Sequence, residues 1–251
     1  MKKIVILLGL AAFAFIGQAV AAEKGFKSIF DGKTLDGWDG NPKFWSVESG
    51  AITGKTTKEN PTKGNTFIIW NGGKTGDFDL RLDYKIVGGN SGIQYRSFNL
   101  KNKADKWRVG GYQADIDSSP TFSGICYGEA FRGILSLRGK KTTLTLGDDG
   151  KLKKNEEEFD KDANVAKAIK KEKWNSYRIV ARGYNLTQYI NGVKTTQVID
   201  RDKKTRRADG LLALQLHAGP PMNVQFKNMR IKELPKRVRK AGGGKKAKAK
   251  K

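Results

Sequence analysis

Alternation of apolar and polar positions with a period of two runs through most of the chain and predicts strands. In "DFDLRLDYKI", Leu80, Leu82, Tyr84 and Ile86 share one face, and Asp79, Arg81, Asp83 and Lys85 share the other. "GGNSGIQYRS" turns at Asn90-Ser91-Gly92 and continues as a strand, and "GYQADID" follows a Gly-Gly pair. "SGICYGEAFRGILSL" holds a strand that breaks at Gly128 and resumes near Ile134. A turn is expected at Gly147–Gly150, and a tight hairpin at Asn191-Gly192 in "WNSYRIVARGYNLTQYINGVKTTQVI". "GLLALQLHAGPPMNVQFKNMRIKEL" supplies two last strands around the Pro220-Pro221 loop. Helix is expected only over "DANVAKAIKKEKW", Asp162 to Trp174, with Asp162 as its cap and Val165, Ala166 and Ile169 as its apolar stripe. Strands this numerous, with turns every ~8–12 residues, predict an all-β sandwich with a short inserted helix.

Strand parity also picks out a second set of rows. Asn90, Gly92, Gln94 and Arg96 fall on one face; Gln113, Asp115 and Asp117 oppose Tyr112, Ala114 and Ile116. Tyr127 and Glu129 fall together with Arg132 just beyond, and Gln215 and His217 oppose Leu212, Leu214 and Leu216. A solvated face favours Lys, Glu and Thr, whereas these rows collect side chains that make directional hydrogen bonds and suit the hydroxyls of a sugar. Two readings follow: a polar binding face, or a plain exposed face. The single residues carry bland readings too. His217 is either a proton-transfer group or a hydrogen-bonded structural histidine. Asp115 either acts chemically or pairs with Arg96, and Glu129 either acts or pairs with Arg132. Tyr112 has core parity.

Composition and charge narrow the classes. Residues 1–21 read as a cleavable export signal: Lys2 and Lys3, an apolar run from Ile4 to Ile16, and Ala19-Val20-Ala21. The run is too short to span a bilayer, so no transmembrane segment is expected after cleavage, and the location is periplasmic or extracellular. Residues 22–235 form the expected domain. Residues 236–251 hold nine basic residues and no acid, a tail suited to acidic polymers or surfaces rather than to a specific nucleic acid. Removing those nine charges and Lys2 and Lys3 from the net +24 leaves +13 on the domain. Cys126 is the sole cysteine, so no internal disulfide forms, and its apolar run marks it as a buried thiol. One His and one Cys exclude a His/Cys zinc cage. No phosphate-binding loop, dinucleotide fingerprint or serine-hydrolase elbow is present.

The segments "FKSIFDGKTLDGW", "WSVESGAITG", "DFDLRLDYKI", "GGNSGIQYRS", "GGYQADID", "WNSYRIVARG", "YINGV" and "LQLHAG…VQFKNMRIKEL" occur in this order. Together they resemble the 3-keto-disaccharide hydrolase family, also described as 3-keto-glucoside 1,2-lyase and 3-keto-2-hydroxy-glucal hydratase domains, over nearly all of residues 26–234. The resemblance implies a concanavalin A-like jelly roll of two antiparallel sheets with a concave, sugar-binding face. It departs at Gln113 and Asp115, where many members carry Glu and Gln, so the carboxylate moves two residues along the same face. The paired carboxylates of an ordinary retaining glucanase are missing from this strand. The resemblance implies removal of the C2 hydrogen of a 3-keto-glycoside, elimination at C1, and hydration of the glucal. His217 or Glu129 is the expected base, Asp115 orients or shares the proton, and Arg96 stabilises the enolate or holds Asp115 ionised. Asn90, Gln94, Gln113, Asp117, Tyr127, Arg132 and Gln215 are the expected sugar contacts. No cofactor is required, and a divalent metal on Asp115, Asp117 and Glu129 is compatible with the sequence. The competing class is a non-catalytic carbohydrate-binding module or matrix-adhesion protein.

Overall fold

The computed structural model describes residues 23–119 and 121–235. The expected export signal and the basic tail lie outside the described residues.

The chain forms β1 (Lys27–Ser28), β2 (Trp38–Gly40), β3 (Trp45–Glu48), β4 (Ala51–Thr56), β5 (Thr66–Trp70), β6 (Phe78–Val87), β7 (Asn90–Asn99), β8 (Val109–Asp117) and β9 (Cys126–Glu129). It continues with β10 (Gly133–Ser136), β11 (Lys140–Leu146), β12 (Leu152–Glu158), α1 (Asp162–Ala166), β13 (Asn175–Arg182), β14 (Asn185–Ile190), β15 (Val193–Asp200), β16 (Leu211–Leu216) and β17 (Met222–Glu233). Two sheets result. A ten-stranded sheet runs β12-β11-β15-β14-β13-β6-β17-β4-β3, with β1 added beside β17; a seven-stranded sheet runs β10-β9-β8-β7-β16-β5-β2. Pairing is antiparallel except between β11 and β15, which run parallel. The architecture is the expected jelly-roll sandwich, with that one parallel contact as its exception.

The predicted apolar rows meet between the sheets. Leu80, Leu82, Tyr84 and Ile86 from β6 pack with Ile93, Tyr95, Tyr112, Ala114 and Ile116 from β7 and β8, and with Leu212, Leu214 and Leu216 from β16, in one core cluster. Cys126 is buried in it, its Sγ 3.6 Å from the Tyr95 hydroxyl, and burial raises the thiol to about 12, so it is held as an unreactive thiol. The β14–β15 hairpin turns at Asn191 and Gly192, both with positive φ (50° and 82°), as its Asn-Gly pair requires.

The helix is shorter than expected. It spans five residues; Lys161 is the N-cap, without a side-chain cap, and Asp162 instead accepts Arg138 Nε at 2.8 Å and Nη2 at 3.0 Å. Val165 is its one buried residue. Lys167, Lys170, Lys171 and Lys173 follow at spacings that would stack like charges on a continuing helix.

A second, smaller apolar cluster sits on the other face of the seven-stranded sheet: Phe67, Ile69, Val109 and Ala213, with Trp107 and Leu211 against it. It anchors the β7–β8 loop over one part of that face. Most of the rest of the face is polar, with Ile134 of β10 as an apolar exception.

Candidate active site

Register places the polar rows side by side. Gln94 of β7 lies opposite Gln113 of β8, which lies opposite Tyr127 of β9, which lies opposite Ile134 of β10. Asn90 pairs with Asp117, and Gly92 with Asp115. Gly92 is needed here: a Cβ at that position would stand 2.4 Å from Gln113 Cδ, so the glycine backbone is the floor on which the Gln113 side chain lies.

Above these rows opens a hollow of about 730 Å³, a size usual for small-ligand sites. Seven of the expected residues line it: Asn90, Gln113, Asp115, Asp117, Tyr127, Glu129 and His217. Its other wall is apolar, with Phe122 and Ile134 at 42% and 37% exposure, both far more open than core residues of their type.

Four expectations are corrected. Arg96 does not reach the hollow. Its φ of +49° sits in a bulge, where the β7–β8 register shifts between Tyr95 and Phe98, so simple parity fails one residue after Tyr95. The guanidinium is 0% exposed and donates to the carbonyls of Gly76 (3.0 and 2.9 Å), Gly183 (2.6 Å) and Arg207 (3.3 Å) and to Asp77 Oδ1 (2.9 Å). It therefore pairs with Asp77, not Asp115. Arg132 is likewise elsewhere: it binds Asp200 and Asp202 and donates to the Tyr112 hydroxyl, so it makes no pair with Glu129. Tyr112, as its parity predicts, is buried, and its hydroxyl donates to Asp200 Oδ2 at 2.5 Å. Gln94 and Gln215 are fully buried behind the hollow rather than lining it.

Those two glutamines support the residues in front. Ser97 Oγ donates to Gln94 Oε1 (2.8 Å), and Gln94 Nε2 to Gln113 Oε1 (2.5 Å). Gln113 Nε2 donates to Asp115 Oδ1 (2.5 Å) and to Gln215 Oε1 (3.4 Å), and Gln215 Nε2 to Glu129 Oε2 (3.2 Å). Asn90 Nδ2 donates to Asp115 Oδ2 (3.3 Å). The amides thus run in one direction, and both carboxyl groups are where the run ends.

Asp115 is 5% exposed, and its pKa is raised to about 7. Burial is the main cause; the Gln113 and Asn90 amides oppose it, while Asp117 and Glu129 add to it. A carboxyl tuned to neutrality in a cleft is a candidate for acid–base work. The Tyr127 hydroxyl is raised too, by burial first and then by Glu129 and Asp115.

His217 follows directly after β16. Its Nδ1 lies 2.5 Å from Ala218 O, and a carbonyl only accepts, so Nδ1 carries a proton and, in the neutral ring, Nε2 is the nitrogen with the lone pair. Asn65, just before β5, holds the same stretch: its Oδ1 accepts Ala218 N–H (3.0 Å) and its Nδ2 donates to Glu129 Oε1 (3.0 Å). Glu129 therefore acts on His217 through Asn65 and the Ala218 peptide, with both its oxygens already occupied.

Asn65 and Arg108 line the hollow and lie outside the polar rows that parity selects. Both come from loop ends, where period-two patterning gives no signal. Among the described residues no three His, Cys, Asp or Glu side chains converge to hold a cation, so Asp115, Asp117 and Glu129 share the hollow without forming a ready metal site.

A family model described as a 3-keto-alpha-glucoside-1,2-lyase-like domain matches residues 25–232. A curated 3-keto-disaccharide hydrolase of Bacteroides thetaiotaomicron is 35% identical over 91 residues, which is 32% of this chain and 30% of that protein's length. Two solved structures of candidate glycosyl hydrolases from Parabacteroides distasonis share the fold, each with a TM-score of 0.53 at 20% identity. One alignment covers 83% of this chain and 99% of the other, the second 84% and 94%.

Proposed function

The chain belongs to the 3-keto-alpha-glucoside-1,2-lyase-like family, and from that premise we propose that it is an exported enzyme that cleaves 3-keto-glycosides by elimination followed by hydration. The ketone at C3 acidifies the C2 hydrogen. His217 Nε2 takes that proton, and the C–H electron pair becomes the enolate. The enolate collapses to a C1–C2 double bond and expels the oxygen at C1, which takes a proton from Asp115. Water then adds across the double bond, so the net change is hydrolysis. Gln113 and Asn90 hold Asp115 and read hydroxyls. Glu129, through Asn65 and Ala218, holds the His217 tautomer that a base needs.

One observation carries this reading: a histidine nitrogen with a free lone pair and a carboxyl protonated near neutrality share one hollow. Their roles separate in deuterated buffer. His217→Ala is expected to lose both leaving-group release and deuterium uptake at C2, each by at least ~100-fold. Asp115→Asn is expected to keep C2 exchange and lose release. Wild-type rates in both folded variants would sink the assignment. A wild-type protein that binds the keto-sugar and leaves it intact for hours would be a binding module instead.

A further inference from the structure

We propose that the glycoside taken by this hollow carries an oxyanion, the carboxylate or sulfate ester of an acidic sugar, and that Arg108 receives it. The inference rests on the site described above and names the class of its substrate.

Arg108 is held in place from its backbone. It closes the β7–β8 loop immediately before β8; its N–H donates to Asp105 O (3.2 Å), and its carbonyl accepts Leu100 N–H (2.9 Å). Trp107 beside it packs on the outer apolar cluster and donates Nε1–H to Asp39 Oδ1 (2.7 Å). The side chain lines the hollow, next to the Gly64–Asn65 turn; a Cβ on Gly64 would lie 3.4 Å from Arg108 Nη1.

The guanidinium has no acceptor among the described residues, and its Nε is buried without a partner. Arg132 Nε lacks a partner as well, but each of the deeply set arginines has a carboxylate on its guanidinium and Arg108 has none among the described residues. Arg96 has Asp77, Arg132 has Asp200 and Asp202, and Arg138 has Asp162. The carboxylates that share the hollow with Arg108 are occupied by other donors. Asp115 and Glu129 take amide N–H groups, and Asp117 takes the Ser119 N–H at 2.8 Å. A half-buried guanidinium with free N–H groups is an unfilled fork for a carboxylate or sulfate. A neutral sugar needs no such group, because amides and hydroxyls read its hydroxyls. The +13 carried by residues 22–235 acts in the same sense, drawing anions toward the protein.

The test is binding without chemistry, by calorimetry on the full chain. The ligands are an unoxidised glucuronosyl-glucose, a sulfated glucosyl-glucose and the neutral disaccharide. Wild type is expected to bind an acidic ligand at least tenfold more tightly than the neutral one, and the tighter of the two identifies the oxyanion. Arg108→Gln is expected to erase that preference by weakening the acidic ligand at least tenfold more than the neutral one, and Arg108→Lys to keep part of it. Equal binding of all three ligands by wild type overturns the proposal. A preference that survives in Arg108→Gln also overturns it, and assigns the effect to diffuse charge. With the 3-keto forms, Arg108→Gln is expected to raise KM for the acidic substrate at least tenfold more than for the neutral one. A fall in kcat on the neutral substrate would place Arg108 on the enolate and overturn the assignment. Failure of wild type to cleave any 3-keto-glycoside would sink the proposed reaction and leave the binding result to stand by itself.

Discussion

Between the two sheets, Arg96 ties the end of β7 to Asp77 and to the Gly183 turn, and Arg132 ties Asp200, Asp202 and Tyr112 together. On the outer face of the same seven-stranded sheet, Gln113, Asp115, Glu129, Asn65 and His217 form a second polar group around the hollow. The two groups draw on the same residue types: guanidinium or imidazole, carboxylate, amide, hydroxyl. They differ in what is left over. The inner group spends all its guanidinium donors but Arg132 Nε on protein acceptors and pins one layer to the other. The outer group leaves a histidine ring nitrogen, a carboxyl that titrates near neutrality and a guanidinium at the wall of the hollow. Residue type therefore does not mark a site; unspent hydrogen-bonding capacity beside a void does.

The largest effect should come from breaking the inner group. Arg96→Met removes a fully buried cation, leaves the carbonyls of Gly76, Gly183 and Arg207 without its N–H groups, and leaves Asp77 with the Gly183 N–H but no counter-charge. Loss of one partner from such an arrangement costs about 3–5 kcal/mol. Urea unfolding should show a loss of that order, with cleavage per folded molecule unchanged. A variant of near wild-type stability that had lost activity would move Arg96 back to the site and undo the division between the two groups.

The outer group should instead write itself into the pH dependence. Asp115 is raised in the folded state from its ordinary 3.8 to about 7. The folded protein then binds that proton more tightly than the unfolded chain does. The resulting stability is fully present below pH ~4 and is lost as pH rises through about 7, with a ceiling of about 4 kcal/mol. Asp115→Asn should remove that slope, so denaturant midpoints of the two proteins should converge near pH 4 and separate towards pH 8, with the variant the more stable at pH 8. Asn90 can turn its amide to present oxygen to the new NH2 group. Activity should fall over the same range, because the proposed acid loses its proton. Parallel stability curves for the two proteins would remove Asp115 from that role.

Most of the sandwich is legible in the sequence, because burial on one face of each strand imposes the period of two that β6, β8 and β16 display. The rows of Gln113, Asp115 and Asp117 and of Tyr127 and Glu129 are legible for the same reason, and they reach the hollow. Arg96 was not, because one residue in a left-handed conformation rotates the chain and parity does not survive a bulge. Arg132 lies past the end of β9, where alternation has stopped. Gln94 and Gln215 have the right parity and the wrong depth: other side chains lie over them, and a pattern along one strand carries no information about what covers it. Asn65 and Arg108 enter from loop ends beside β5 and β8, which only the three-dimensional arrangement brings together. The helix ran short because its apolar stripe has a single buried residue to hold it.

The smallest expected effect tests whether the outer group works as one connected unit. Gly92→Ala keeps an ordinary strand conformation, and the three atoms nearest its new methyl all belong to the flexible Gln113 side chain, with Cδ at 2.4 Å. Gln113 can swing away, so the stability cost should stay near ~1 kcal/mol. Moving it breaks the bonds to Gln94 and Asp115 together and leaves Gln215 without its donor. A displacement of that size in a positioning residue should lower kcat about tenfold, with a smaller change in KM, and should shift the pH at which Asp115 titrates. Gln113→Ala in the same background should then add little, because the amide it removes has already left its place. If the two substitutions lower activity independently, Gln113 reads substrate directly, and the run of amides behind the hollow is packing rather than support.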